Sequence, residues 1–427
     1  MMNQVLKFDQ NYTLDESIIS QEVYGFNVIT GTQLNNPGTI TIQIQNTDNF
    51  YYPAESYLEF EGILEKTPTG SFTKTDLITF ANNGVLFLFD NIKYLLSSAE
   101  IESVFNPGTA SNIIGLARYP AGFEKGLMQG WAHDTSGKAE ATNVGYSKRH
   151  TLFLGNDSTV AGSFRISIPL KHIFGFCNDY EKVIYGFTHT LVLTRSSSDK
   201  NALFRATGVS DGKVNLTNIK WVVPLITPDA RAKYDLIKQI QSETILNVGF
   251  RMNQCISASV PETTEFTYRV GVRTAPEQPR FIFLAFQTDR QENQEKNYAC
   301  YDHCDLESAH VSLNNDRYPR NDFQTNFGVN HFDNQYSVFA SFIRKFYKVD
   351  DSVVSTGIGP LLYKTLFPVY IFDVSHQSEK LKTAVTDITL HCRFKKNVTA
   401  KTFAHVVIIS DRQIRFKTSG GQMSVLY

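Results

Sequence analysis

The densest set of side chains able to do chemistry is CYDHCDLESAH, which brings Cys300, His303, Cys304 and His310 into one short stretch. Thiolates and imidazoles are preferred zinc ligands, but a structural zinc site joins a C-x2–4-C couple to a second Cys or His couple at a distance. The cysteine spacing fits and the second couple is missing, so the stretch reads as a packed loop entry with no metal. Nucleophilic catalysis finds neither a G-x-S-x-G elbow nor a cysteine in a catalytic context. Gly108 and Gly115 in PGTASNIIG lack phosphate-loop spacing, and Gly357 and Gly359 in STGIGPL do not follow a strand and open a helix. The carboxylate pairs Asp350/Asp351 and Asp302/Asp305 carry no EF-hand spacing and read as solvated loop charges. No catalytic residue, cofactor or metal is therefore expected, and the chain reads as a non-enzyme.

Basic clusters stand at 147–150 (SKRH), 342–348 (FIRKFYK) and 393–396 (RFKK). Phe342, Phe346 and Tyr347, interleaved in the second, have the chemistry to stack on bases. A formal net charge of −1 over 427 residues removes the overall positive field that nonspecific nucleic-acid binding needs. Ordinary strands or helices with one polar face are the expected reading of these clusters.

The elements that position these residues are mostly strands. The composition, with 32 Phe and 20 Tyr, is enriched in residues that suit pleated surfaces. Five cysteines (Cys177, Cys255, Cys300, Cys304, Cys392) form an odd, sparse set that suggests a reducing compartment. The start, MMNQVLKFDQ, lacks a basic region followed by an apolar one, and no run approaches the ~18 apolar residues of a membrane span. A protein made in the cytoplasm or nucleus and not secreted is expected, so the sequons at Asn11, Asn156, Asn215 and Asn397 would carry no glycan.

The stretch 221–245 organises the chain. It begins as a buried strand and changes to helical period from about Pro228 to Gln241, with Thr227 placed to cap, Pro228 at a first helical position and Asp229 at the positive end. On either side lie about 200 strand-rich residues. The first side offers strands at 23–30, 39–46, 57–64, 85–96, 164–170, 183–195 and 213–226, with a loop over about 97–162 holding one short helix near 111–118. The second offers 245–252, 265–273, 280–287, 308–314, 362–374, 384–394 and 403–416, with a loop over about 315–360. The shared order of strands, one long loop, then strands predicts an all-β chain of two tandem jelly-roll sandwiches joined by a short helix. The expected boundaries are an N-terminal arm at 1–20, sandwiches at 21–226 and 245–418, the connector at 227–244 and a tail at 419–427.

The segments at 165–195, 279–290, 301–319 and 367–390, with the WVVP…TPDARAKYDLIKQI junction, carry a resemblance over nearly the full length. The chain resembles the double jelly-roll major capsid proteins of eukaryotic DNA viruses and of virus-like elements of the Polinton and adintovirus kind. That resemblance implies a structural protein of the virion whose homotrimers form pseudo-hexagonal capsomers tiling an icosahedral shell. The implied partners are further copies of itself, penton and minor capsid proteins, and the genome on the inner face. The long loops would build towers or trimer contacts, with Phe123, Trp131, Phe323, Phe327, Phe332 and Tyr336 as exposed aromatics for subunit packing or, equally, as closures of each sandwich's own loop. The alternative is a jelly-roll module that binds a carbohydrate or receptor.

Overall fold

The computed structural model describes residues 17–31, 33–123, 128–154, 160–242, 245–273, 277–349, 355–377, 386–419 and 422–427; the N-terminal arm up to residue 16 and the Asp350/Asp351 pair lie outside them. The first half of the chain holds β1 (Ile18–Thr30), β2 (Gly38–Ile44), β3 (Phe50–Tyr51), β4 (Tyr57–Lys66), β5 (Ile78–Phe80), β6 (Phe89–Leu96) and β7 (Ala99–Phe105). Helices α1 (Pro107–Arg118) and α2 (Val144–Phe153) follow, then β8 (Ser163–Pro169), α3 (Gly175–Asp179), β9 (His189–Arg195), β10 (Leu203–Arg205) and β11 (Gly212–Pro228). Helix α4 (Ala230–Gln241) leads into β12 (Leu246–Val260), β13 (Glu265–Arg273), β14 (Gln278–Thr288), β15 (Leu306–Leu313) and β16 (Asp316–Tyr318). Helices α5 (Asp333–Tyr347) and α6 (Pro360–Leu366) precede β17 (Tyr370–Asp373), β18 (Thr386–Phe394), β19 (Thr402–Ser419) and β20 (Gln422–Leu426).

The two halves write the same topology. In the first, β1-β11-β4-β8 forms one sheet and β2-β9-β6-β7 the other. The long β1 joins them, since Ile18 to Asn27 pair with β11 while Val28 and Thr30 pair with β2. In the second, the sheets are β12-β19-β14-β17 and β13-β18-β15-β16. Setting aside the short additions β3, β5, β10 and β20, each half has eight strands paired first-eighth-third-sixth and second-seventh-fourth-fifth. That is a jelly roll written twice, and the fold is all-β in class.

Local sequence explains the faces. In β2, Ile40, Ile42 and Ile44 are buried while Thr41 and Gln43 are half-buried, the two-residue period of a sheet with one wet face. The unbroken runs Phe281 to Phe286 in β14 and Val406 to Ile409 in β19 are buried at every position, because this sheet is covered on both sides. One cover is its own sandwich partner. The other is α1, buried along its whole length and packed on β12, β14 and β19. One apolar core therefore runs through both halves.

Several expectations are corrected. Val85 to Leu88 of the apolar run VLFLF lie in a buried 3-10 turn, Gly84–Leu88, not a strand. The loop at 97–162 contains β7 and α2, and the loop at 315–360 contains β16 and the fifteen-residue α5, which buries Phe339, Phe342, Ile343 and Phe346. The expected strand over 362–374 divides into α6 and β17. At the junction Pro228 is the last residue of β11, paired with Ile18. The cap is Asp229, whose Oδ1 accepts the Ala232 N–H at 2.6 Å, in place of Thr227. Within the tail expected at 419–427, Gln422–Leu426 form β20, which pairs with the end of β19.

Beyond the pairing with β1, β11 is dressed by side chains. The Gln294 amide accepts from Gly212 N at 2.8 Å and donates to Gly212 O at 2.7 Å. Asp199 accepts from Val214 N at 2.8 Å. Asn35 accepts from Leu216 N at 2.7 Å and donates to Leu216 O at 3.0 Å.

Candidate functional site

The seam between the halves holds the densest polar machinery in the molecule. Glu102 of β7 is fully buried and accepts the N–H groups of Gly175 (3.1 Å) and Phe176 (2.9 Å) from its own half and of Asn253 (3.0 Å) from the other. Burial pushes its carboxyl up to about 7, against the pull of those three donors and of Arg412. Beside it Asp179 takes a two-point ion pair from Arg251, at 2.6 and 2.8 Å. Burial works against ionisation there too, but the Arg251 pair wins and holds Asp179 below the usual carboxylate range. The Arg251 guanidinium also lies 3.9 Å from the Phe346 ring centroid.

Further along, Asn112 of α1 donates to Ala299 O at 3.1 Å and to the Tyr301 hydroxyl at 3.2 Å, and Arg118 donates to the Tyr347 hydroxyl at 2.7 Å. The buried pair Asp134–Arg149, with both Oδ atoms 2.9 Å from Arg149 Nη2, ties the first half's long loop to α2. Asn297 of the second half reaches the same carboxylate at 2.7 Å. Buried polar groups matched this fully fix one relative placement of the two sandwiches, because any slip strands charges in the core.

Two clefts open along the seam, of about 690 and 580 Å3, and share Asn178, Glu181 and Tyr347. In the larger, His172 is driven down to about 3 by burial, with Arg118 and Lys171 adding to it, so it is a neutral imidazole at pH 7. The Cys177 thiol, which lines the same cleft, is driven far up by burial and then by Glu102.

The residues singled out by sequence are dispersed. Cys300 is fully buried and its carbonyl accepts from Gln287. Cys304 is half-buried, its thiol pushed up to about 12 by burial and Asp302. His303 stacks on Phe327, and His310 faces His391 across the sheet. Among the described residues no three His, Cys, Asp or Glu side chains converge into a group that could hold a metal ion. Asp302 is paired with Arg290 and Asp305 with Lys396. The basic clusters are committed as well. Arg149 is in the buried pair, Lys345 meets Asp373, Arg393 meets Glu307, and Phe342 and Phe346 are core residues.

The six candidate aromatics are not exposed anchors. Trp131, Phe327 and Phe332 are buried, and Phe123, Phe323 and Tyr336 are partly buried against the same core. Phe123 stacks on Tyr119 at 4.0 Å and Phe332 on Phe327 at 5.4 Å. Each loop folds its own rings inward, since a ring left in water forfeits its whole burial energy.

What sequence reasoning missed lies on β1. Ile18, Ile19, Val23, Tyr24 and Ile29 are exposed on a strand with almost no covered face, next to α4, which buries none of its described side chains. These side chains leave apolar area uncovered on the single chain. The signal was present in IISQEVYGFNVIT, whose apolar residues fall on both faces of the strand.

Comparison with curated proteins gives no match. Among solved structures, a chain in the structure of the Sputnik virophage superposes with a TM-score of 0.62 at 7% identity, covering 100% of this chain and 92% of that one. A chain of the PBCV-1 virus capsid gives 0.59 at 11% identity, with 98% and 99% covered. The mavirus major capsid protein gives 0.56 at 12% identity, with 100% and 95% covered. At such identities the likeness is one of fold, and it runs the length of both partners. The family described as the double jelly roll-like domain matches residues 78–414, most of the chain, and the protein belongs to that family.

Proposed function

We propose that this protein is a structural major capsid protein, and that three copies form a pseudo-hexagonal capsomer that tiles an icosahedral virus or virus-like shell. The observation that carries the reading is the doubled topology. Two sandwiches of identical strand order, fused through one core, give six similar sandwiches in a homotrimer, which approximates a hexagon with only three chains. The capsid proteins of PBCV-1 and mavirus, which share this fold, support it. The uncovered apolar side chains of β1 support self-association as well.

On this reading the surfaces that join copies are β1 and α4, where the chain leaves apolar area unburied, and not the loop aromatics. Vertex and minor capsid proteins would meet the outer rim of the capsomer, with the genome on the inner face. Among the described residues no helix is long and apolar enough to cross a membrane.

Light scattering on purified protein, followed by negative-stain imaging, tests the proposal. A particle of about 145 kDa, three times the 48.3 kDa chain, with a hexagonal outline is the expected result. A monomer at every concentration would overturn it.

A further inference from the structure

The β13-β18-β15-β16 sheet turns a polar face outward, and on it His310 of β15 stands directly opposite His391 of β18. The two imidazoles lie face to face, 4.6 Å between centroids and 17° between planes. Each ring is held through Nδ1. That of His310 lies 3.3 Å from the Asp322 carboxylate, which is itself fixed by Arg317. That of His391 lies 3.3 Å from the Thr267 hydroxyl. A carboxylate only accepts, so His310 carries its proton on Nδ1 and its lone pair on Nε2, and Thr267 can accept from His391 in the same sense. Neither Nε2 has a hydrogen-bond partner among the described residues. One ring nitrogen anchored by a neighbouring acceptor and the other left bare is how metal-binding histidines are arranged.

We propose that His310 and His391 form a two-imidazole chelate for a borderline divalent transition ion such as Zn2+, Ni2+ or Cu2+, with water in the remaining positions. Directly opposed cross-strand residues are close enough to share one ligand. Imidazole suits these ions, whereas Ca2+ and Mg2+ demand oxygen. Arg317 and Asp322 flank His310, and Arg393, paired with Glu307, stands two residues from His391 on the same outward face of β18. Burial, then Arg317, hold His310 below its ordinary value. With two protein ligands the site is exchangeable, unlike a closed structural centre.

The test is Cu2+ titration of the full chain, read by electron paramagnetic resonance, with Zn2+ calorimetry alongside. One ion per chain with hyperfine coupling to two imidazole nitrogens is expected, lost in acid because protons compete for the ligating nitrogens. His310→Gln or His391→Gln should weaken binding at least about tenfold and reduce the coupled nitrogens to one. Asp322→Ala should weaken it roughly tenfold while keeping both nitrogens, as loss of an outer partner does. Both rings are only partly buried, so circular dichroism should be unchanged in these variants. Equal stoichiometry and affinity in the His310→Gln/His391→Gln double variant would place the ion on other histidines and overturn the proposal. So would no measurable Zn2+ or Cu2+ binding by the unaltered chain.

Discussion

The carboxylate of Glu102, in the first sandwich, receives the backbone N–H of Asn253, in the second, at 3.0 Å across a seam from which water is excluded. The same group accepts two N–H bonds at the start of α3 and is still pushed up to about 7 by burial, from an ordinary value of 4.5. In the pH range between those values the folded protein holds a proton that the unfolded chain releases. Stability from this group is therefore fully present below about 4.5 and is lost as pH rises through 7. At about 1.4 kcal/mol per unit, the full swing is about 3.5 kcal/mol. Glu102→Gln should abolish it. Urea unfolding of both proteins from pH 5 to 8 should show the difference between them drifting in the unaltered protein's favour toward acid, and a constant difference would refute the assignment.

The Asp134–Arg149 pair is completely buried and shares its carboxylate with Asn143 and Asn297. Removing one partner leaves an uncompensated charge in the core. Arg149→Met and Asp134→Asn should each cost about 3–5 kcal/mol, and the double variant much less than their sum. A double-mutant cycle by denaturant unfolding measures that coupling.

Gly175 sits where α3 meets β12, and a Cβ there would overlap the Arg251 carbonyl. The backbone N–H of Gly175 also feeds Glu102. Gly175→Ala therefore has to part the halves, and a loss of about 3 kcal/mol or more is expected in thermal unfolding. Gly249→Ala, where an added Cβ meets nothing within 4 Å, is the control and should change little.

Asp229 caps a helix that buries none of its described residues. Asp229→Ala should cost that helix about 1 kcal/mol. Because α4 makes little tertiary contact, the loss should appear as faster amide exchange in residues 230–241 with the global melting point nearly unmoved.

Ile19 and Val23 are 69% and 58% exposed in the single chain. Ile19→Asp and Val23→Asp should alter chain stability by less than about 0.5 kcal/mol. If β1 joins copies as proposed, the same changes should shift the trimer toward monomer in light scattering.

The strands were legible where one face is wet and the other dry, as in β2 and β18, because alternation records that environment in the residues themselves. Helix α5 was legible in principle. Phe339, Phe342, Ile343 and Phe346 recur at helical spacing, but a phenylalanine-rich segment in a β-rich chain also fits a strand, and only packing decides. VLFLF is apolar throughout and carries no period, so its 3-10 turn was invisible. The six aromatics show the same limit at the candidate site, since residue type records that a ring wants burial and not whose surface buries it. The partners of Glu102 are main-chain groups contributed by two other segments, which no side-chain pattern encodes.

The side chains that dress β11 have a further consequence. Gly212, Val214 and Leu216 point their main-chain groups away from β4, on a stretch that β1 does not reach, and such a row is a ready template for a foreign strand. Gln294 and Asn35 each stand in for one peptide of a neighbouring strand, and Asp199 occupies the donor between them. The edge is thereby closed to augmentation without adding a strand. In a protein that would crowd against many copies of itself, this guards against fibrous mispairing and leaves association to surfaces that can close.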